Sequence, residues 1–209
     1  MHIDVPGPAG RLEALLDAPP GTTPPRAAAV FAHPDPTQGG TMDTKAVFQG
    51  AKGLARIGCA VLRFNFRGVG RSAGTFDDGP GETADYLAAL DFMHMRYPAT
   101  PLWAAGFSFG AWIALEAGAA DPRVSVLIAV APPVARNGRS FANTLQSTKP
   151  KFFIQGGLDE LCPLKDLWAF YAKLKEPKEL VVIDGANHVF DGKAQEVGDA
   201  IADLLGDSE

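Results

Sequence analysis

Three side chains in this 209-residue chain have the types and the order that nucleophilic acyl transfer requires: Ser108, Asp159 and His188. A serine hydroxyl is a weak nucleophile until a base removes its proton, and a neutral histidine can do so near pH 7. A carboxylate behind the histidine orients the ring and stabilises the imidazolium. Ser108 stands in Gly106-Phe107-Ser108-Phe109-Gly110, between an apolar run at 101–105 and a helix-like run at 111–120. With a strand before it and a helix after it, Gly-x-Ser-x-Gly puts the serine at the apex of a sharp turn, where glycine neighbours remove Cβ clashes. Asp159 follows the run 151–156 and His188 follows 179–184. Glu160, Asp166 and Asp184 compete with Asp159, but Asp166 falls inside a predicted helix and Asp184 ends a run before a glycine turn, so surface or turn roles suit them. His2 is terminal and His94 lies on the helical stretch LAALDFMHMRY, and both read as structural.

Such groups work only if the chain brings them to one place. The stretches 26–33, 58–66, 101–107, 124–130, 151–156 and 179–185 are short apolar runs ending near Gly, Pro, Asp or Asn, and they read as buried parallel strands. Helices are expected at about 42–57, 81–97, 108–120, 163–175 and 191–205. This alternation predicts a doubly wound, mostly parallel α/β sheet with helices on both faces. HIDV and RLEALLDA flank the turn signal PGPAG and should form an antiparallel hairpin at one edge. PPGTTPP at 19–25 then reads as a surface connector, and the 209 residues as a single domain. In an open parallel sheet, functional groups collect at the carboxyl ends of strands. His33, Ser108, Asp159 and His188 all stand at such ends.

The order Ser, Asp, His is that of the α/β-hydrolase triad. Together with HPDPTQGGTMD, FNFRGVGRS, GFSFG, the GGLDE turn and the GANH turn, the chain resembles the α/β-hydrolase superfamily over nearly its whole length. Among its members it is most similar to small lidless serine hydrolases of the dienelactone hydrolase or esterase kind. The resemblance implies Ser108 as nucleophile, His188 as general base and then acid, and Asp159 as its orienting carboxylate. It also implies an oxyanion hole from two backbone N–H groups, those of Phe109 and of a residue in the loop after the strand at 26–33. That loop reads His33-Pro34-Asp35-Pro36, and proline has no N–H, so Asp35 is the donor between the two prolines. A carboxylate aimed into the hole would oppose the developing negative charge, so the Asp35 side chain should turn outward. His33 is open between direct participation and a buried, hydrogen-bonded role. The activity implied is a carboxylesterase cleaving small esters through an acyl-enzyme, with a thioesterase, a peptidase or a non-catalytic binding protein of the same fold as alternatives.

Composition narrows the rest. The net charge of -5 and the lack of Lys/Arg clusters argue against nucleic acid or an anionic membrane as partner and leave a small-molecule ester-type substrate. No apolar stretch approaches about 20 residues and the start lacks signal-peptide features, so a cytoplasmic protein is expected. Cys59 and Cys162 have no metal-ligand or CxxC spacing and read as reduced packing residues. Gly68-Val69-Gly70-Arg71-Ser72-Ala73 matches a dinucleotide-binding pattern, but turn formers follow it where a helix would have to open. No cofactor and no metal are implied. Phe107, Phe109, Trp112 and Trp168 could line an apolar pocket, although aromatic residues beside a central strand are more often core. Finally, only residues 131–150 separate the strand at 124–130 from the next, too few for a cap domain, so a loop with a short helix and an open crevice are expected.

Overall fold

A computed structural model describes residues 1–19, 24–136 and 138–206. The connector expected at 19–25 lies mostly outside the described residues. The strands are β1 (His2–Gly7), β2 (Gly10–Asp17), β3 (Ala28–Ala32), β4 (Ala60–Phe64), β5 (Leu102–Phe107), β6 (Val124–Val130), β7 (Lys151–Gly156) and β8 (Lys178–Ile183). They form one eight-stranded sheet in the order β1-β2-β4-β3-β5-β6-β7-β8. β1 and β2 are the expected antiparallel hairpin at one edge, with β2 antiparallel to β4 and every later pairing parallel.

β3, β4, β5 and β7 are buried along their whole length, as mostly apolar runs require when both faces of a sheet are covered, with Arg63, Lys151 and Gln155 as the buried polar residues in them. Alternate residues feed two cores. Val30, Leu62 and Ala104 pack on the face covered by α2 (Pro80–Arg96) and α3 (Phe109–Ala120). Phe31, Val61 and Trp103 pack on the other, under α1 (Lys45–Arg56) and α6 (Ala194–Gly206). α4 (Ala142–Gln146) and α5 (Leu164–Tyr171) complete the set; among the described residues α4 is the only helix in 131–150 and no cap domain stands over the sheet. Among the described residues no helix is long and apolar enough to cross a membrane.

Two helices begin later than their periodicity suggests. Residues 42–44 are drawn out of α1 because Asn65 accepts the Met42 N–H at 2.9 Å while the buried Arg63 donates to the Met42 carbonyl at 2.8 Å. Before α6, residues 187–193 are held in turns by Phe190 N–H to Asn187 O (3.1 Å) and Lys193 N–H to Phe190 O (2.9 Å). Gly68 and Gly70 lie in turns with φ of +74° and +56°, and the next helix opens only at Pro80. Cys59 and Cys162 are free and buried, and burial pushes both thiols up to about 11.

Candidate active site

β3 and β5 are neighbours at the point where the strand order reverses, the place where open α/β sheets bind ligands. Asp35 follows β3 and Ser108 follows β5. Ser108 has φ +53° and ψ -117°, a conformation that L residues adopt only when the surroundings impose it. What imposes it is the fit of the α3 N-terminus against the sheet. A Cβ on Gly106 would stand 2.2 Å from the Gly110 carbonyl oxygen, and one on Gly110 would stand 2.4 Å from the His33 carbonyl oxygen. The two glycines let α3 start against β5 and β3, and the serine N–H is tied to Val130 O at 2.8 Å.

Asp159 and His188 come from β7 and β8, beyond the intervening β6. The loop after β8 folds back across the end of β7, stitched by Leu158 N–H to Ala186 O at 2.9 Å and Gly157 N–H to Ile183 O at 3.0 Å. The His188 ring then lies 5.5 Å from the Phe107 ring, centre to centre. The three predicted side chains meet in one row, with His188 Nε2 2.9 Å from Ser108 Oγ and His188 Nδ1 2.8 Å from Asp159 Oδ2. Asp159 and His188 are buried. Asp159 Oδ1 accepts the N–H groups of Leu161 (2.9 Å) and Cys162 (2.8 Å), and an ionised carboxylate, which only accepts, suits all of these donors. A carboxylate on Nδ1 leaves Nε2 free to take the serine proton. Glu160 is exposed, Asp166 lies in the first turn of α5 and Asp184 is exposed, so none of these rivals joins the row.

The row has a fourth member that sequence reasoning missed. Gln155, fully buried on β7, donates to Asp159 Oδ2 at 2.8 Å and to Cys162 O at 2.9 Å. Both partners are acceptors, which fixes the amide with its NH2 toward them. Gln155 thus shares the oxygen used by His188 and restrains Asp159 from behind. A polar residue following the apolar run Phe152-Phe153-Ile154 near the end of the strand KFFIQG was the available signal.

Neither the Asp35 nor the Phe109 N–H has an acceptor among the described residues. The Asp35 carboxylate is engaged by its own loop and by Arg136, accepting from Thr37 N (2.8 Å) and Thr37 Oγ1 (2.7 Å) and facing Arg136 Nη1 at 3.3 Å. Burial alone would raise its pKa, but the Thr37 hydrogen bonds and Arg136 outweigh burial and hold the carboxyl below its ordinary value. His33 takes the buried, hydrogen-bonded role. Its Nε2 accepts the Phe66 N–H at 3.0 Å, so Nδ1 carries the proton and donates to Pro34 O at 2.7 Å. Pro34 C=O and Asp35 N–H belong to one peptide plane and point in opposite directions when it is trans. By holding the carbonyl, His33 sets where the Asp35 N–H points.

Burial lowers the His33 pKa from 6.5 to about 4, against the raising effects of the Pro34 hydrogen bond and Asp35. The unfolded chain therefore binds this proton first. The stability that neutral His33 contributes is complete above pH 6.5 and declines as pH falls toward 4. Between pH 7 and 5 the expected loss is about 2 kcal/mol. Urea midpoints of the wild type and His33→Asn at both pH values test this: the variant should lose less on acidification, and equal losses would remove the assignment.

Of the aromatic residues, Phe107 and Phe109 are core, and Trp112 packs on Phe109 at 5.7 Å and beneath Arg139 at 4.4 Å. Trp168 stands half exposed on α5 against Tyr171.

A family model described as serine aminopeptidase, S33, matches residues 23–148, which include Ser108 and end before Asp159. An uncharacterized protein of Rickettsia prowazekii is 36% identical over 206 residues, covering 95% of this chain and 86% of that protein. An α/β serine hydrolase homologue from Coxiella burnetii superposes with a TM-score of 0.91 at 38% identity, over 98% of this chain and 97% of the other. A serine hydrolase without a lid, XC6422 from Xanthomonas campestris, gives 0.88 at 34% identity, over 98% and 93%. The chain therefore belongs to the α/β serine hydrolases, in the hydrolase family described as serine aminopeptidase, S33.

Proposed function

We propose that the chain is a single-domain serine esterase that cleaves small carboxylic esters through an acyl-enzyme. The observation that carries this reading is the continuous row from Ser108 Oγ through His188 to Asp159, with steps of 2.9 and 2.8 Å. In this mechanism Ser108 Oγ attacks the ester carbon as its proton passes to His188 Nε2. Asp159 steadies the imidazolium that forms, and the free N–H groups of Phe109 and Asp35 receive the developing oxyanion. His188 gives the proton to the departing alcohol, then activates water to release the acid and restore Ser108.

Two features favour a small ester over an aminopeptide. A peptide α-ammonium needs a carboxylate to hold it, yet Asp35 faces Arg136, Asp78 faces Arg139 and Asp159 is occupied by the row, which leaves Glu160 beside it, a side chain exposed to water. Ser108 also lies outside the cavities of about 840 Å³ at the β8–α6 edge and 430 Å³ beside α2 and α3. An uncapped crevice buries few methylenes of a long acyl chain, and each fully buried one contributes only about 0.8 kcal/mol.

Acetyl and butyryl p-nitrophenyl esters should therefore show higher kcat/KM than the palmitoyl ester, with no activation at a lipid–water interface, because the described residues form no lid to open. Rates across the series, above and below the aggregation threshold, check this. A palmitoyl preference or a jump at the threshold would contradict the open crevice, and faster cleavage of an aminoacyl p-nitroanilide than of any ester would replace the esterase by an aminopeptidase.

A further inference from the structure

The loops that carry Asp159 and His188 present large apolar side chains to solvent. Leu158, Leu161 and Val189 are 67%, 65% and 56% exposed, while Asp159, Cys162, His188 and Phe190 beside them are buried. The Leu158 N–H bond to Ala186 O, 2.9 Å long, joins the two loops, so the three side chains leave from adjoining stretches of backbone. Single exposed hydrophobic residues are ordinary, but three on the two loops that build one site call for an occupant.

The direction of proton transfer says which one. When the tetrahedral intermediate collapses, the bond from the acyl carbon to the alcohol oxygen breaks, the bond to Ser108 Oγ is retained, and the proton on His188 passes to the departing alcohol oxygen. The leaving oxygen must then stand within about 2.6–3.2 Å of Nε2, whereas the oxyanion points to the N–H groups of Asp35 and Phe109. The alcohol substituent therefore starts on the His188 side of the site, whose loop carries the exposed Val189 next to His188 and is stitched to the loop that carries the exposed Leu158 and Leu161. We propose that Leu158, Leu161 and Val189 form a leaving-group subsite for an apolar alcohol, so that preferred substrates join a small acyl group to a larger apolar alcohol. This rests on the acyl-transfer reading above.

Two ester series separate the sides of the site: acetates from methyl to hexyl, and methyl esters from acetate to hexanoate, each below its solubility limit and followed by acid release. A half-buried methylene corresponds to roughly a twofold gain in kcat/KM. The wild type should therefore gain about 30-fold along the alcohol series and less than about threefold along the acyl series. In Leu158→Ser/Leu161→Ser/Val189→Ser the hexyl-to-methyl ratio should fall below about threefold. Val189→Ser alone gives the same reading at smaller amplitude if the triple variant does not fold. Equal slopes in the wild type, or an unchanged ratio in the folded variants, overturn the subsite. A gain that appears only with phosphatidylcholine vesicles assigns the patch to a lipid surface instead. Turnover of methyl acetate without an alcohol slope removes the subsite alone, while no turnover in either series removes the esterase reading and the subsite with it.

Discussion

Ser108→Ala and His188→Ala should each lower kcat/KM for p-nitrophenyl acetate by about 10⁵-fold or more, with Asp159→Asn falling about 10⁴-fold. The first two remove the nucleophile and its base, and because the row acts as a unit, either loss leaves only substrate binding and the oxyanion donors. The Asp159→Asn effect follows from the count of donors around the carboxylate. Oδ1 faces two backbone N–H groups and Oδ2 faces His188 and Gln155, so an asparagine NH2 must confront donors either way. Turned toward His188, it forces Nδ1 to accept, which places the proton on Nε2 and removes the base from Ser108. Circular dichroism should show all three variants folded. Near-normal turnover by folded Ser108→Ala would end the proposal.

Gly110→Ala should cost both activity and stability. The new Cβ would meet the His33 carbonyl oxygen at 2.4 Å and Ala32 backbone atoms at 2.7 Å, and backbone cannot rotate aside as a side chain can. Relief requires α3 to lift from β3, which moves the Phe109 N–H away from the Asp35 loop and Ser108 away from His188. Overpacking of this kind costs about 3 kcal/mol, or a Tm lower by roughly 6–12 °C in a chain of this size. A displacement of about 1 Å at the site costs on the order of a hundredfold in rate. Gly206→Ala is the control, since among the described residues its Cβ would meet only Ile57 Cγ2 at 3.8 Å. Calorimetry and ester kinetics on both variants decide the matter: a Gly110→Ala protein with unaltered Tm and rate would show that the close approach is not needed.

The parts of this protein that its sequence alone determined are those whose signals are local. Apolar runs of strand length, helical periods between them and glycine, proline or asparagine at their ends marked the strands, the helices and the hairpin, because both faces of a covered sheet must be apolar and turns need particular residues. The same local chemistry marked Ser108 between its glycines, and placing Asp159 and His188 at strand ends required only knowing where each strand stops. Partners far apart in the chain were not legible. Nothing near Asp35 announces Arg136, 101 residues away, and nothing in KFFIQG says that Gln155 shares an oxygen with His188. Nor could the spacing of Asn65 and Met42 reveal that one draws the other out of α1. The role of His33 depends on the Phe66 N–H and the Pro34 carbonyl reaching opposite sides of its ring. These contacts exist only once β4 pairs with β3, the β8 loop folds over β7 and Arg136 reaches the Asp35 loop. Pairing and loop crossing are fixed by the packing of whole elements against one another, which no local window of sequence contains.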